Sequence, residues 1–207
     1  MRIIAGKHKS RKLETLEGNN TRPMMDVMKE SVFNTIGPYF DEIEILDLFG
    51  GSGALSLESI SRGAKHSYII DLSRDAVRVI TNNVKALKEE SSVTILNTDY
   101  KLALKKLQGK QFDLIFLDPP YRLNIVNELL QYLDENGFMK VGTIIVAHYV
   151  KGNAKIDEKL PEVENTYIVQ EQPSETKYEI TTTETEPIID ETIDDVIYIY
   201  DFKDIEE

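Results

Sequence analysis

The 207-residue chain is long enough for one sizeable core and a small appendage, and it carries a net charge of −12. It has no cysteine, so neither a disulfide framework nor a thiolate metal site is available, and the scattered His8, His66 and His148 show no metal-ligand spacing. No apolar run reaches membrane-spanning length and no apolar signal region opens the chain, which predicts a cytoplasmic protein with no membrane partner.

The opening MRIIAGKHKSRKLETL predicts two short strands around residues 6–10, a small hairpin. Its first twelve residues hold Arg2, Lys7, Lys9, Arg11 and Lys12 and no acid. Such a start is either a solvated hairpin or a contact for a polyanion. The global charge does not exclude the second reading, because the local field does the steering. The excess acid lies at the other end: residues 157–207 carry 17 acids against 3 lysines.

RPMMDVMKESVFNTIGP predicts a helix with Pro23 in its first turn. Met25, Met28, Val32 and Ile36 form its apolar stripe, and Gly37-Pro38 its stop. A regular alternation follows. IEILDLF is a strand and GALSLESISRG a helix ended by Gly63; SYIID is a strand, and Ser73 caps the helix RDAVRVITNNVKAL, with Ala76, Ile80, Val84 and Leu87 on one face. VTILN, a short helix over residues 100–107, FDLIFLD, the helix NIVNELLQYLDENG and the strand GTIIVAHY complete the alternating part. NTYIVQEQ and DDVIYIYDF close the chain as strands with no helix between them, separated by a Thr- and Glu-rich stretch that reads as a long loop or an extra edge element. Alternation of this kind implies a parallel sheet flanked by helices, here mostly parallel and seven-stranded with an antiparallel edge strand.

Carboxylates end the first four strands: Asp47, Asp71, Asp99 and Asp118. In a parallel sheet such ends share one crevice, and mutual repulsion makes four solvated acids on one edge hard to explain without a ligand. DLFGGSGAL places Gly50, Gly51 and Gly53 before a helix N-terminus, a backbone that a ligand can approach closely, but G-x-G-x-x-G is absent. Asp71 follows 18 residues beyond Gly53, where an acid accepts hydrogen bonds from ribose hydroxyls. Asp99 is available to an adenine amino group. FDLIFLDPPYR is a buried strand broken by Pro119 and Pro120, which cannot donate to a ladder. Asp118 is thereby held extended at the strand mouth, as a solvated carboxylate or as a working one.

DLFGGSGAL, IID, NTD and LDPPY together resemble class I S-adenosylmethionine-dependent methyltransferases. With MRIIAGKHKSRKL, TRPMMDVMKESVFN and SGALSLESISRGA in order, the chain resembles more closely the bacterial 16S ribosomal RNA (guanine-N2)-methyltransferase family. The resemblance covers roughly residues 1–150. It implies a Rossmann-like domain over residues 41–207, with an acidic insertion around 173–193, and a basic hairpin and helix appendage over residues 1–40. It implies S-adenosylmethionine as cofactor, no metal, and a monomer acting on 16S ribosomal RNA or a small-subunit assembly particle. Asp118, Pro119, Pro120 and Tyr121 become the catalytic motif, with Tyr121 stacking on an extruded base. Asp47, Phe49, Gly50, Gly51, Gly53, Asp71, Leu72, Asp99 and Tyr100 become cofactor residues, joined by Asp26 and Asn34 from the N-terminal helix, which with Arg22, Lys29 and Glu30 would close over the cofactor pocket; Lys29 and Glu30 fit a solvated helix face equally well. Arg2, Lys7, Lys9, Arg11, Lys12 and Arg22 become RNA contacts. The chain departs from the family pattern at Met24, Met25 and Val27, at Lys177-Tyr178-Glu179, and at Ala147-His148, where the fifth strand usually ends in glutamate. Two alternatives remain: a methyltransferase for another amino group such as adenine N6, and a ribosome-associated binding module without turnover.

Overall fold

The computed structural model describes residues 1–16, 26–120, 125–150, 163–171, 178–183 and 195–202. The chain divides into two compact units, Met1–Gln108 and Gly109–Glu207. Among the described residues no helix is long and apolar enough to cross a membrane.

In the first unit three parallel strands lie in the order β3 (Val93–Asn97), β2 (His66–Asp71), β1 (Glu44–Asp47), with Leu46 opposite Tyr68 and Ile70 opposite Leu96. Ile45, Leu46, Ile69 and Ile70 are all buried, as expected of strands covered on both faces. Two helices make the crossovers, α2 (Ala54–Ser61) and α3 (Arg74–Leu87), and α4 (Tyr100–Lys106) follows β3. In α3 the residues Ala76, Val79, Ile80, Val84 and Leu87 are buried along one face, and Lys88 ends the helix at φ 59°. Because the strands are parallel, Asp47 and Asp71 leave the sheet at the same edge.

The expected N-terminal hairpin reduces to one antiparallel bridge, Arg2 with Lys12, around a single 3-10 turn at Gly6–His8. This segment is fastened to α2. Gly6 has φ +79°, and a Cβ there would sit 1.8 Å from the Ser61 carbonyl oxygen, so only glycine fits. Helix α1 spans Asp26–Ile36, and Pro23, Met24 and Met25 of the expected helix lie outside the described residues. Lys29, Val32 and Phe33 are buried in α1. Of the two readings open for Lys29, the solvated face does not hold. Lys29 is fully buried, 3.2 Å from Glu58 Oε2, and its Nζ donates to the Arg2 carbonyl at 2.5 Å.

In the second unit β4 (Phe112–Leu117) runs parallel to β5 (Met139–Val150), with α5 (Val126–Glu135) between them in sequence. Val126, Leu129, Leu130 and Leu133 are its buried face. β8 (Asp195–Phe202) is antiparallel to β5, β6 (Val163–Glu171) to β8, and β7 (Tyr178–Thr183) to β6. The described residues thus hold eight strands rather than seven, and two of them, β8 and β7, run against β5 where one antiparallel edge strand is expected. The added strand, β7, falls in the stretch expected as a loop or an extra edge element: its Thr-rich sequence has β propensity, and ladder hydrogen bonds to β6 need no apolar side chains.

Candidate active site

The glycine turn after β1 separates two jobs. Gly50 faces protein: its N–H donates to the Ile70 carbonyl at 2.8 Å, and a Cβ there would lie 2.3 Å from Ile69 Cγ2. Gly51 faces open space, with φ +56° and nothing within 4 Å of where a Cβ would sit. Gly53, at φ +76°, is the N-cap of α2. The Gly51 N–H donates to Asp71 Oδ2 at 2.9 Å, and the Ser73 N–H donates to Oδ1 at 2.7 Å. The carboxylate is therefore fixed by backbone, while each oxygen keeps acceptor capacity for a ligand hydroxyl. Burial pushes the Asp71 carboxyl above the ordinary 3.8, and the hydrogen bonds from Ser73 and Gly51 offset this only in part.

Beside it Leu72 is 70% exposed, an apolar side chain at a strand exit. Asn97, which opens the NTD motif without a role of its own there, fixes this corner: its Nδ2 donates to the carbonyls of Asp71 and Leu72 at 3.0 and 3.1 Å. Asp47 is buried and accepts from Ser56 Oγ at 2.7 Å. Asp99 is the N-cap of α4, its Oδ1 accepting the Lys101 N–H at 2.9 Å, so one oxygen already serves the helix. Phe49 and Tyr100 pair with ring centroids 5.6 Å apart. Asp26 lies 3.2 Å from Arg2 Nε through Oδ2, and its buried Oδ1 has no hydrogen-bond partner among the described residues. Asn34 is exposed on α1.

The basic residues split. Arg2 pairs with Asp26, Lys7 with Glu89 at 2.8 Å, and Arg11 donates to the Ala86 carbonyl at 2.9 Å. Lys9 and Lys12 have exposed side chains. Arg22 and Tyr121 lie outside the described residues.

In the second unit β4 ends at Leu117, and Asp118 follows at the mouth, with Pro119 buried and Pro120 exposed. Asp118 Oδ1 lies 2.8 Å from His148 Nδ1; the aspartate side chain is 38% exposed and the histidine 9%. Sequence spacing alone leaves His148 an ordinary polar residue. The signal that finds it is the strand register: Leu117 pairs with Ala147 in parallel strands, so the residues that follow each are neighbours.

The chain matches the family model described as Conserved hypothetical protein 95 over residues 1–181. It is 39% identical over 151 residues to YlbH of Bacillus subtilis, described as a candidate rRNA methyltransferase, covering 72% of this chain and 82% of that protein. It is 34% identical over 174 residues to the ribosomal RNA small subunit methyltransferase D of Haemophilus influenzae, covering 83% and 88%. Among solved structures, a candidate methylase of Haemophilus influenzae superposes with a TM-score of 0.65 at 28% identity, covering 98% of each chain. The fold is that of the Rossmann-like class I methyltransferases, as the resemblance implied.

Proposed function

The chain belongs to the Conserved hypothetical protein 95 family, and from that membership we propose that it methylates the N2 amine of a guanine in 16S ribosomal RNA. At the coarser level it is an S-adenosylmethionine-dependent methyltransferase of ribosomal RNA, as its relatives are named. The residues of the first unit fit that cofactor. Asp71, held by two backbone N–H groups, presents acceptors to a ribose. Gly51 leaves open space above its backbone, and exposed Leu72 offers an apolar surface for a purine. S-adenosylmethionine supplies a methyl group already activated on a sulfonium, so positioning and electrostatics carry most of the catalysis.

The observation that carries the reading is Asp118. A buried strand delivers it and two prolines keep ladder partners away from it. An exocyclic amine presents two N–H donors and a weakly nucleophilic nitrogen, and a fixed carboxylate oxygen can orient it. The same Asp-Pro-Pro-Tyr string places Tyr121 in sequence to stack on the base. The test is nucleoside analysis of undermethylated small subunits after incubation with the protein and methyl-labelled cofactor. Label in N2-methylguanosine is expected. Label in N6-methyladenosine would replace guanine with adenine, and absence of label in folded, cofactor-binding protein would leave only a binding module.

A further inference from the structure

We propose that His148 is a positioning residue for methyl transfer: it holds Asp118 so that one carboxylate oxygen is left to orient the substrate amine. The inference rests on the reading of Asp118 given above. Asp118 and His148 are 30 residues apart in sequence, yet Asp118 Oδ1 and His148 Nδ1 lie 2.8 Å apart. An ionised carboxylate only accepts, so Nδ1 is the donor in this bond. The two partners differ in exposure. His148 is nearly enclosed, at 9%, whereas Asp118 reaches solvent at 38%. The histidine is thus the fixed member and the aspartate the presented one.

The backbone makes this pairing rigid. Leu117 and Ala147 are register partners in β4 and β5, both fully buried, one residue before the pair. On its other side β5 is tied to β8, with His148 opposite Ile197. An aspartate carboxylate without such a partner rotates about its last torsion, where the energy wells are broad. The Nδ1–H bond removes that freedom at Oδ1 and leaves Oδ2 in one place. In the transfer, the N2 lone pair bonds to the methyl carbon, the carbon–sulfur bond breaks with its electrons staying on sulfur, and the methylated amine releases one proton to water. An oxygen fixed on the second N–H holds the lone pair in line throughout, an effect on turnover rather than on cofactor affinity.

Single-turnover rates at saturating S-adenosylmethionine, with calorimetric cofactor affinity as the check on folding, test this. His148→Ala should lower the rate tenfold or more with cofactor affinity unchanged. His148→Asn places an N–H donor where Nδ1 stands and should restore most of the loss. A parental rate for His148→Ala overturns the proposal, as does an Asn variant as slow as Ala, or a rate loss matched by an equal loss of cofactor affinity. The underlying reading fails separately, if Asp118→Ala itself keeps the parental rate.

Discussion

In the proposed cofactor site the half-buried Asp71 carboxylate would serve both the fold and a ligand. Two backbone N–H groups hold it, and burial still keeps its carboxyl above the ordinary 3.8. A raised value means that the folded protein binds this proton more tightly than the unfolded chain does. Its contribution to folding is therefore favourable at low pH and is lost as the pH rises through the folded value. If Asp71 holds the cofactor ribose, binding has the opposite sign, because ribose hydroxyls need the ionised form as acceptor. Affinity for S-adenosylmethionine should fall on acidification through a pKa above 3.8, and an Asp71→Asn variant should lose that pH dependence. Asp71→Ala removes a charge-assisted acceptor worth about 1.5–3 kcal/mol, so calorimetry should show at least about a tenfold weaker cofactor. An unchanged affinity in folded Asp71→Ala would take the residue out of the cofactor site.

At the scale of elements, the N-terminal segment is built into the first unit through α2. Glu58 is fully buried and accepts from the Ile4 and Ala5 N–H groups at 2.8 and 3.0 Å and from Arg62 Nε at 2.8 Å, with Lys29 Nζ 3.2 Å away. Burial pulls the Lys29 ammonium below its usual value, and Glu58 opposes that shift. Breaking a buried pair from one side strands the other charges, at a cost of about 3–5 kcal/mol. Glu58→Ala should therefore shift the urea midpoint strongly and expose the amides of residues 4, 5 and 8 to hydrogen exchange; a midpoint near the parental one would contradict this role. A second fastening is pH-sensitive. Burial alone would raise the Glu89 carboxyl, but hydrogen bonds from Lys7, His8 and Ser92 outweigh it and hold it below 4.5. That stability is present above 4.5 and is lost as the pH falls through the lowered folded value.

Local pattern explains which of these elements are legible in the sequence. The buried runs of β1, β2 and β4 and the single apolar face of α3 follow from periodicity within one segment. So do the positions of Asp47, Asp71 and Asp118, because strand ends are marked by composition. Lys29 stays open in the sequence because a lysine on a helix fits a solvated face until its partner is known, and Glu58 sits in another helix. His148 escapes for a related reason: its meaning depends on the register between two strands, which no single stretch encodes. β7 does not stand out because its strand-forming residues are largely polar and its stability comes from a neighbouring strand.

At the scale of the whole chain, charge and chemistry are distributed unevenly. The acids concentrate in residues 157–207, while the first twelve residues carry five bases. Those five are not equivalent: Arg2, Lys7 and Arg11 already bind protein groups, whereas Lys9 and Lys12 present exposed side chains. Replacing Lys9 and Lys12 by alanine should weaken RNA binding and reduce its salt slope by about 1 for each phosphate no longer neutralised, with cofactor affinity unchanged. An identical slope would return this segment to a purely structural role. The proposed cofactor residues Asp47, Gly50, Gly51, Gly53, Asp71 and Leu72 fall within residues 1–108, and Asp118 falls within residues 109–207. If Asp118 orients the amine and does not hold the cofactor, cofactor binding and methyl transfer should be separable by substitution. The most direct measurement is the single-turnover methylation rate of Asp118→Ala and Asp118→Asn on small subunits at saturating S-adenosylmethionine, with cofactor affinity determined alongside. If Asp118 orients the amine, Ala should lose about a hundredfold or more in rate and Asn, which keeps an acceptor oxygen, clearly less, with cofactor affinity close to the parental value in both. A near-parental rate for Asp118→Ala, or a rate loss that follows weakened cofactor binding, would contradict that role.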